Sequence, residues 1–271
     1  TYWPNLLSNL VWKKTTAKLC FWNQRDEIPF LNKKLEEKAL SKTSFVVANS
    51  KGGRDHLKEN FPFLDNISVI RNGISMDASY ESNWESILSK AKNEVSVVMI
   101  ANLQYRKDHN AVLEAWKHVV EINKELNIEP KLYFAGRFAG THDQLKAKCF
   151  DLKFTNEVQF LGGVDDVKGL LEQMDLAVFA SFHEGSPNGI LEPMSVGLAV
   201  VANRIAGNIE ALGAENEGLV DSANRDQLVN KLNLLIKDTT KRKVLGDHNK
   251  NRIISDFGVE NLKNQYLKLC K

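Results

Sequence analysis

The residues best equipped for chemistry lie in His183-Glu184-Gly185-Ser186-Pro187-Asn188-Gly189-Ile190-Leu191-Glu192, where two carboxylates bracket a turn carrying glycine and proline. The turn follows the apolar run Leu176–Ala180 and precedes a helical pattern. A helix that starts near Asn188 presents unpaired backbone N–H groups, and such a terminus attracts phosphate. Gly185 and Gly189 allow the close backbone approach that phosphate-cradling loops require. Glu184 then flanks the anion site, and Glu192, about one helical turn beyond Asn188, can accept hydrogen bonds from the vicinal hydroxyls of a sugar or ribose. A plainer reading has Ser186 or Asn188 capping the helix and Glu192 complementing its dipole. That reading leaves Glu184 unexplained in an apolar neighbourhood.

Positioning these groups requires a sheet. From Glu94 onward, strand-like runs at Val95–Ala101, Lys131–Ala135, Val158–Leu161, Leu176–Ala180, Ala199–Ala202 and Gly218–Val220 are each followed by a helical pattern. This alternation predicts a Rossmann-like domain, with a parallel sheet covered on both faces. Open α/β sheets bind ligands beyond the carboxyl ends of their strands. Asn102–Asp108, Gly136-Arg137, Gly162-Gly163 and the two-acid turn fall there, after the first four strands. Earlier in the chain, strands are expected at 19–22, 44–49 and 67–70, with helices at 30–41 and 51–59; residues 75–93 are polar, weakly periodic and read as a linker. Helical patterns at 226–237, 241–254 and 261–270 close the chain.

Composition excludes several classes. The chain has 271 residues, 43% of them hydrophobic and 26% charged, as in ordinary globular proteins. A net charge of +2 gives no basis for a nucleic-acid partner. Cys20, Cys149 and Cys270 lie far apart without metal-like spacing, which predicts free thiols, a reducing cytoplasmic compartment and no metal. No Ser-His-Asp order supports acyl chemistry. The two acids are not read as a hydrolase pair, because they sit by a phosphate site rather than across an open sugar groove. Leu6, Leu7, Leu10 and Val11 have helical spacing after Pro4, so the chain is expected to begin inside structure. Trp3, Trp12 and Lys13-Lys14 admit a second reading, an interfacial membrane helix.

The segment Phe182–Met194, with Glu184 and Glu192 in an E-x7-E spacing and Ser195–Ala202 following, resembles the nucleotide-sugar site of retaining GT-B glycosyltransferases of family 4. Ala48-Asn49-Ser50 and Val69–Ile74 are similar to the end of that family's N-terminal domain. Ala101-Asn102-Leu103 with Lys107-Asp108-His109 is similar to its first donor-domain loop, and Val158–Gly162 with Asp175 follows in order. The resemblance implies a GT-B fold: residues 1–74 as the last part of an N-terminal acceptor domain whose beginning is missing, 75–93 as linker, 94–256 as the nucleotide-sugar-binding domain, and 257–271 as a helix crossing back.

It also implies roles. Lys107, with a basic partner, neutralises the diphosphate leaving group; the helix-start amides of Asn188, Gly189 and Ile190, within the Ser186-Pro187-Asn188-Gly189-Ile190-Leu191 stretch, bind the same phosphates. Glu192 holds ribose hydroxyls and Glu184 contacts the donor sugar. Many members have an arginine where this chain has Asn102; Arg106 is the candidate replacement, although Arg106-Lys107 also reads as a solvated turn. Gly136-Arg137 reads as a strand-end glycine with a cleft arginine; Arg204, Ala206 and Gly207-Asn208 fit a loop over the cleft or a plain turn, and Arg25-Asp26 fits either the cleft or a surface ion pair. The implied reaction is retaining transfer of a sugar from a nucleoside diphosphate sugar to a hydroxyl acceptor, a glycan, lipid or small molecule, without metal, at the cytoplasm or its membrane face. A non-catalytic nucleotide-sugar-binding module, or another GT-B enzyme such as an epimerase, is the alternative.

Overall fold

The structure is a computed structural model that describes residues 2–25, 30–75, 82–221 and 224–270. Its contacts divide the chain into two compact units, Thr1–Gly73 with His183–Ser186 and Asp256–Lys271, and Ile74–Phe182 with Pro187–Ser255.

The first unit runs α1 (Tyr2–Val11), a 3-10 turn at Trp12–Lys14, β1 (Phe21–Gln24), α2 (Lys33–Leu40), β2 (Phe45–Ala48), α3 (Lys51–Asn60) and β3 (Ile67–Val69). The three strands form a parallel sheet in the order β1-β2-β3. Leu6, Trp22, Ala39, Leu40, Val46, Leu57 and Phe61 fill its core. The outer edge of β1 is covered by α1, where Asn5 donates to the Asn23 carbonyl and Asn9 to that of Phe21. The last helix, Val259–Leu269, belongs here: the Tyr266 hydroxyl accepts from Asn23, and Leu262 lies against Gly73. The strand expected at 19–22 starts at Phe21, which pairs with Phe45, while Leu19 is exposed.

The second unit holds α4 (Trp84–Leu88), β4 (Glu94–Ile100), α5 (His109–Lys124), β5 (Glu129–Ala135), α6 (His142–Asp151), β6 (Val158–Gly162) and α7 (Val167–Glu172). It continues through β7 (Leu176–Phe179), α8 (Asn188–Ser195), β8 (Val200–Asn203), α9 (Ala206–Leu212), β9 (Leu219–Val220), α10 (Arg225–Lys237) and α11 (Thr239–Asp256). Its six strands are parallel in the order β6-β5-β4-β7-β8-β9. Val97, Val98 and Met99 of β4 and Leu176 and Val178 of β7 are fully buried, as unbroken apolar strands between two helical layers must be.

Successive strands run leftward from β4 to β6, and the chain then returns to place β7 on the other side of β4. The carboxyl ends of β4 and β7 therefore form the switch point at which such sheets open a crevice. Within the segment read as a linker, residues 76–81 lie outside the described residues, and Trp84–Leu88 is helical. Its Trp84 indole donates to the Asp166 carbonyl, Leu88 is buried, and Lys90 pairs with Asp175 at 3.2 Å. A single turn with one buried leucine leaves little periodicity for a sequence to show.

Candidate functional site

Two loops meet at the switch point. The β4–α5 loop and the β7–α8 loop are joined by an antiparallel bridge between Lys107 and Ser181. The Phe182 amide and the Ser181 hydroxyl both donate to the Arg106 carbonyl, at 3.0 and 2.9 Å, and the Asp108 amide donates to Ala180. Asp108 then caps α5 by accepting from the Ala111 amide. The sequence marks none of this pairing, because the two loops lie far apart along the chain.

Asn203 at this junction was not legible as a site residue, and the parts played by Asn208 and His109 within their expected loops were not legible either. Asn203, at the end of β8, grips Ser181 from both sides: its Oδ1 accepts from the Ser181 amide at 3.1 Å and its Nδ2 donates to the Ser181 carbonyl at 2.8 Å. Asn208 in turn donates to Asn203. His109 is buried beneath the loop with Nδ1 2.9 Å from the Lys107 carbonyl. Burial holds its pKa below the ordinary value, against the pull of the Lys107 and Ala101 carbonyls. The ring is thus neutral at pH 7 and Nδ1 is the protonated nitrogen that donates to Lys107. An asparagine ending a strand was the one available signal for Asn203.

Lys107 is half-buried, and its ammonium lies 4.9 Å from the centroid of the Phe179 ring. The same ring meets α8. A Cβ on Gly189 would stand 2.7 Å from Phe179 and 2.1 Å from the Ile100 carbonyl oxygen, so only glycine lets the helix start this close to the β4 terminus. The lysine and the helix start therefore share one aromatic ring. Arg106, by contrast, is exposed; it contributes its carbonyl to the loop, and its guanidinium has no partner among the described residues.

The helix start itself is narrower than the sequence suggests. Helix α8 has no side-chain cap, and Pro187 precedes it in an extended conformation. The Ile190 and Leu191 amides both donate to the Pro187 carbonyl, at 3.0 and 3.1 Å, and their side chains are fully buried. These two residues therefore build the core beneath the helix start instead of facing a ligand. The Gly189 N–H has no partner among the described residues, and Asn188 is exposed beside it.

One turn along, Glu192 is half-buried, and its carboxyl has no hydrogen-bond or ion-pair partner among the described residues. Burial pushes its pKa up to about 7. A carboxylate dried in this way, with both oxygens unspent, suits a pair of hydroxyl donors. Glu184 and Ser186 fall in the first unit. There a Cβ on Gly185 would come 2.9 Å from the Arg25 carbonyl oxygen, and the Ser186 carbonyl accepts from Asn72. His183 is exposed. Arg25 donates to Asn72 at 3.4 Å; Asp26, named with it from sequence, lies outside the described residues.

Asn102, standing where an arginine was expected, has a structural task. Its Oδ1 accepts from the Arg137 amide at 2.9 Å, and the Leu103 amide donates to the Arg137 carbonyl at 3.0 Å. Gly136 is required at this crossing because its Cβ would lie 2.0 Å from the Ala101 oxygen. Arg137 is thereby clamped by its backbone, while its exposed guanidinium has no partner among the described residues. Arg204, read as a loop residue over the cleft, donates to the Ala214 carbonyl.

The family model for glycosyl transferases group 1 matches residues 81–252. The GalNAc-α-(1→4)-GalNAc-α-(1→3)-diNAcBac-PP-undecaprenol α-1,4-N-acetyl-D-galactosaminyltransferase of Campylobacter jejuni is 28% identical over 228 residues, which are 78% of this chain and 61% of that one. The UDP-Gal:α-D-GlcNAc-diphosphoundecaprenol α-1,3-galactosyltransferase of Escherichia coli is 25% identical over 223 residues, 79% of this chain and 57% of that one. The chain thus spans about three fifths of the length of these relatives. Among solved structures, Anabaena HepE in complex with UDP superposes with a TM-score of 0.84 at 19% identity, covering 99% of this chain and 76% of that one. A glycosyltransferase of Rickettsia africae gives 0.81 at 23% identity, covering 97% and 72%. At these identities the likeness shows the fold, which is GT-B.

Proposed function

Because this chain belongs to the glycosyl transferases group 1 family, we propose that it carries the donor site of a retaining glycosyltransferase, which moves a sugar from a nucleoside diphosphate sugar to a hydroxyl acceptor. The observation that carries the reading is the convergence at the switch point: the Lys107 ammonium and the Gly189 helix start both lie against Phe179, with the dried, unpartnered Glu192 carboxyl one turn along α8.

When the bond between the anomeric carbon and the phosphate oxygen breaks, negative charge builds on the leaving diphosphate. In this reading Lys107 and the amides at Gly189 and Asn188 stabilise that charge where it develops. Glu192 accepts the two ribose hydroxyls, and Glu184 the hydroxyls of the donor sugar. Arg106 and Arg137, both exposed and without side-chain partners among the described residues, supply the further cation that Asn102 does not. Two relatives bear names that specify diphospho-undecaprenol acceptors; we assign this protein a lipid-linked glycan acceptor of the same class. Work on such an acceptor places the protein at the cytoplasmic face of a membrane. The exposed Trp3, Leu7 and Val11 of α1, followed by Lys13 and Lys14, fit contact with that surface. No helix among the described residues is long and apolar enough to cross it.

Calorimetric titration with UDP, GDP and ADP tests the site. One of the three is expected to bind, and Glu192→Ala should weaken that binding about tenfold or more, the loss of hydrogen bonds to a charged group. Glu184→Ala should leave the nucleotide alone and weaken only its sugar-bearing form. Absence of binding by all three nucleotides would refute the donor site. Binding without any transfer would favour a nucleotide-sugar-binding module.

A further inference from the structure

Away from the switch point, the second unit carries a cavity of about 420 Å³ whose walls are α10, α11 and the loop that leads into β9. None of its lining residues belongs to the β4–α5 or β7–α8 loops. Its walls are braced against one another. The Arg242 guanidinium donates to the Leu235 and Ile236 carbonyls at 2.6 and 2.8 Å, closing the C-terminal end of α10, and Asp238 accepts from the Lys241 amide at the start of α11. Asn216 ties the loop across to α11, donating to Asn249 at 3.0 Å and accepting from the Gly218 amide at 2.9 Å. The buried residues of α11, Gly246, Asn249 and Ile253, form one narrow stripe, which leaves Lys241, Val244 and His248 to line the cavity.

The floor is apolar and the rim is charged. Val244 is 66% exposed and Leu234 36% exposed, beside a buried Leu235. Apolar side chains kept in water by a rigid frame are the usual sign of a contact surface. The rim holds both signs: Glu215 and Glu217 on the loop, Lys231 on α10 and Lys241 on α11. Although these four line one cavity, none of their side chains has a partner among the described residues. The two acids and two lysines balance, so neither a simple anion nor a simple cation matches the rim. Its complement is a surface with lysines opposite the acids and acids opposite the lysines. A second copy of the same rim, turned about a two-fold axis, supplies that arrangement, because such a contact sets residue i against j and j against i. An apolar centre inside a polar rim is also the common plan of a protein contact.

We propose that two copies of the chain meet through this face, with Val244 seated on the apolar floor of the second copy and Lys231 and Lys241 facing its Glu215 and Glu217. The inference needs nothing from the donor-site reading, because no residue assigned to the nucleotide takes part.

Sedimentation equilibrium tests it. The parent is expected to pass from monomer to twice that mass as concentration rises, and Val244→Asp should weaken the association tenfold or more by setting a charge on the floor. Reversing one sign of the rim at a time is the sharper test. Lys231→Glu with Lys241→Glu leaves four acids on the rim, and Glu215→Lys with Glu217→Lys leaves four lysines; each double variant alone should stay monomeric. Mixed in equal amounts, the two should form a heterodimer at least as readily as the parent self-associates, since every contact then joins opposite charges. All four positions are exposed or half-buried, and a melting temperature equal to the parent's verifies folding. A parent that remains monomeric up to about 1 mM overturns the proposal. A dimer that keeps its affinity in Val244→Asp, or in both rim variants, also overturns it and puts the contact elsewhere. So does the failure of the two folded rim variants to join when mixed.

Discussion

Glu192 carries a charge that its surroundings resist. Its pKa of about 7 against an ordinary 4.5 means that, between those values, the unfolded chain has released the proton while the folded chain keeps it. Stability is therefore whole below pH 4.5, falls as pH rises through this window and is level above pH 7. The loss is at most on the order of 3 kcal/mol, at about 1.4 kcal/mol for each tenfold change in proton affinity. Glu192→Gln should thus resist urea better than the parent at pH 8 and show no such gain at pH 4.5, even as it weakens nucleotide binding. Equal differences at both pH values would show that the carboxyl is not held dry. A stabilising change that damages function is the expected signature of a strained site residue. Gly189→Ala should act in the opposite way. Its Cβ would stand 2.1 Å from a backbone oxygen, so α8 must shift, destabilising the fold by about 2 kcal/mol in urea titration and lowering nucleotide affinity with it.

At the scale of elements, the site is two loops that hold each other. Ser181 is the shared point, bridged to Lys107 and gripped by Asn203. Asn203→Ala removes both bonds and should lower stability by about 1–3 kcal/mol. Because Ser181 positions Lys107, UDP affinity should fall as well, although Asn203 is placed against the loop and not against the ligand; an unchanged calorimetric affinity would confine it to folding. His109 works from below. Its lowered pKa means that the unfolded chain takes up a proton that the folded chain refuses as pH falls below about 6.5, so its contribution is present above that value and is lost on acidification. His109→Asn should flatten the acid limb of the stability profile, the reverse of what Glu192→Gln does on the neutral limb.

Across the whole molecule, a nucleotide bound at the switch point should leave a legible footprint. Hydrogen exchange with UDP is expected to protect residues 102–109, 136–138 and 187–192, and to leave α10 and α11 unchanged; protection confined to those two helices would relocate the site. The loops in that footprint were legible in the sequence as positions after strands. Runs such as Val95–Ala101 and Leu176–Ala180 are too apolar and too short to be anything but buried parallel strands once helical patterns alternate with them; the two acids were visible by their spacing, whereas Lys107 was singled out only by the family resemblance of its loop. The short helix at Trp84–Leu88 was not legible, because its anchor is an indole reaching the Asp166 carbonyl 82 residues away. Nor were the engaged amides of Ile190 and Leu191, which follow from the conformation of Pro187, or the exchange of an expected arginine for Asn102, which clamps Arg137. Residue types and periodicity determined the parallel α/β architecture and where on it charged groups must collect, since burial of apolar runs is a local demand. Only the tertiary structure decided which of those groups face one another, because the Lys107–Phe179–Gly189 contact and the Ser181–Asn203 grip are set by packing between segments that the chain order keeps far apart.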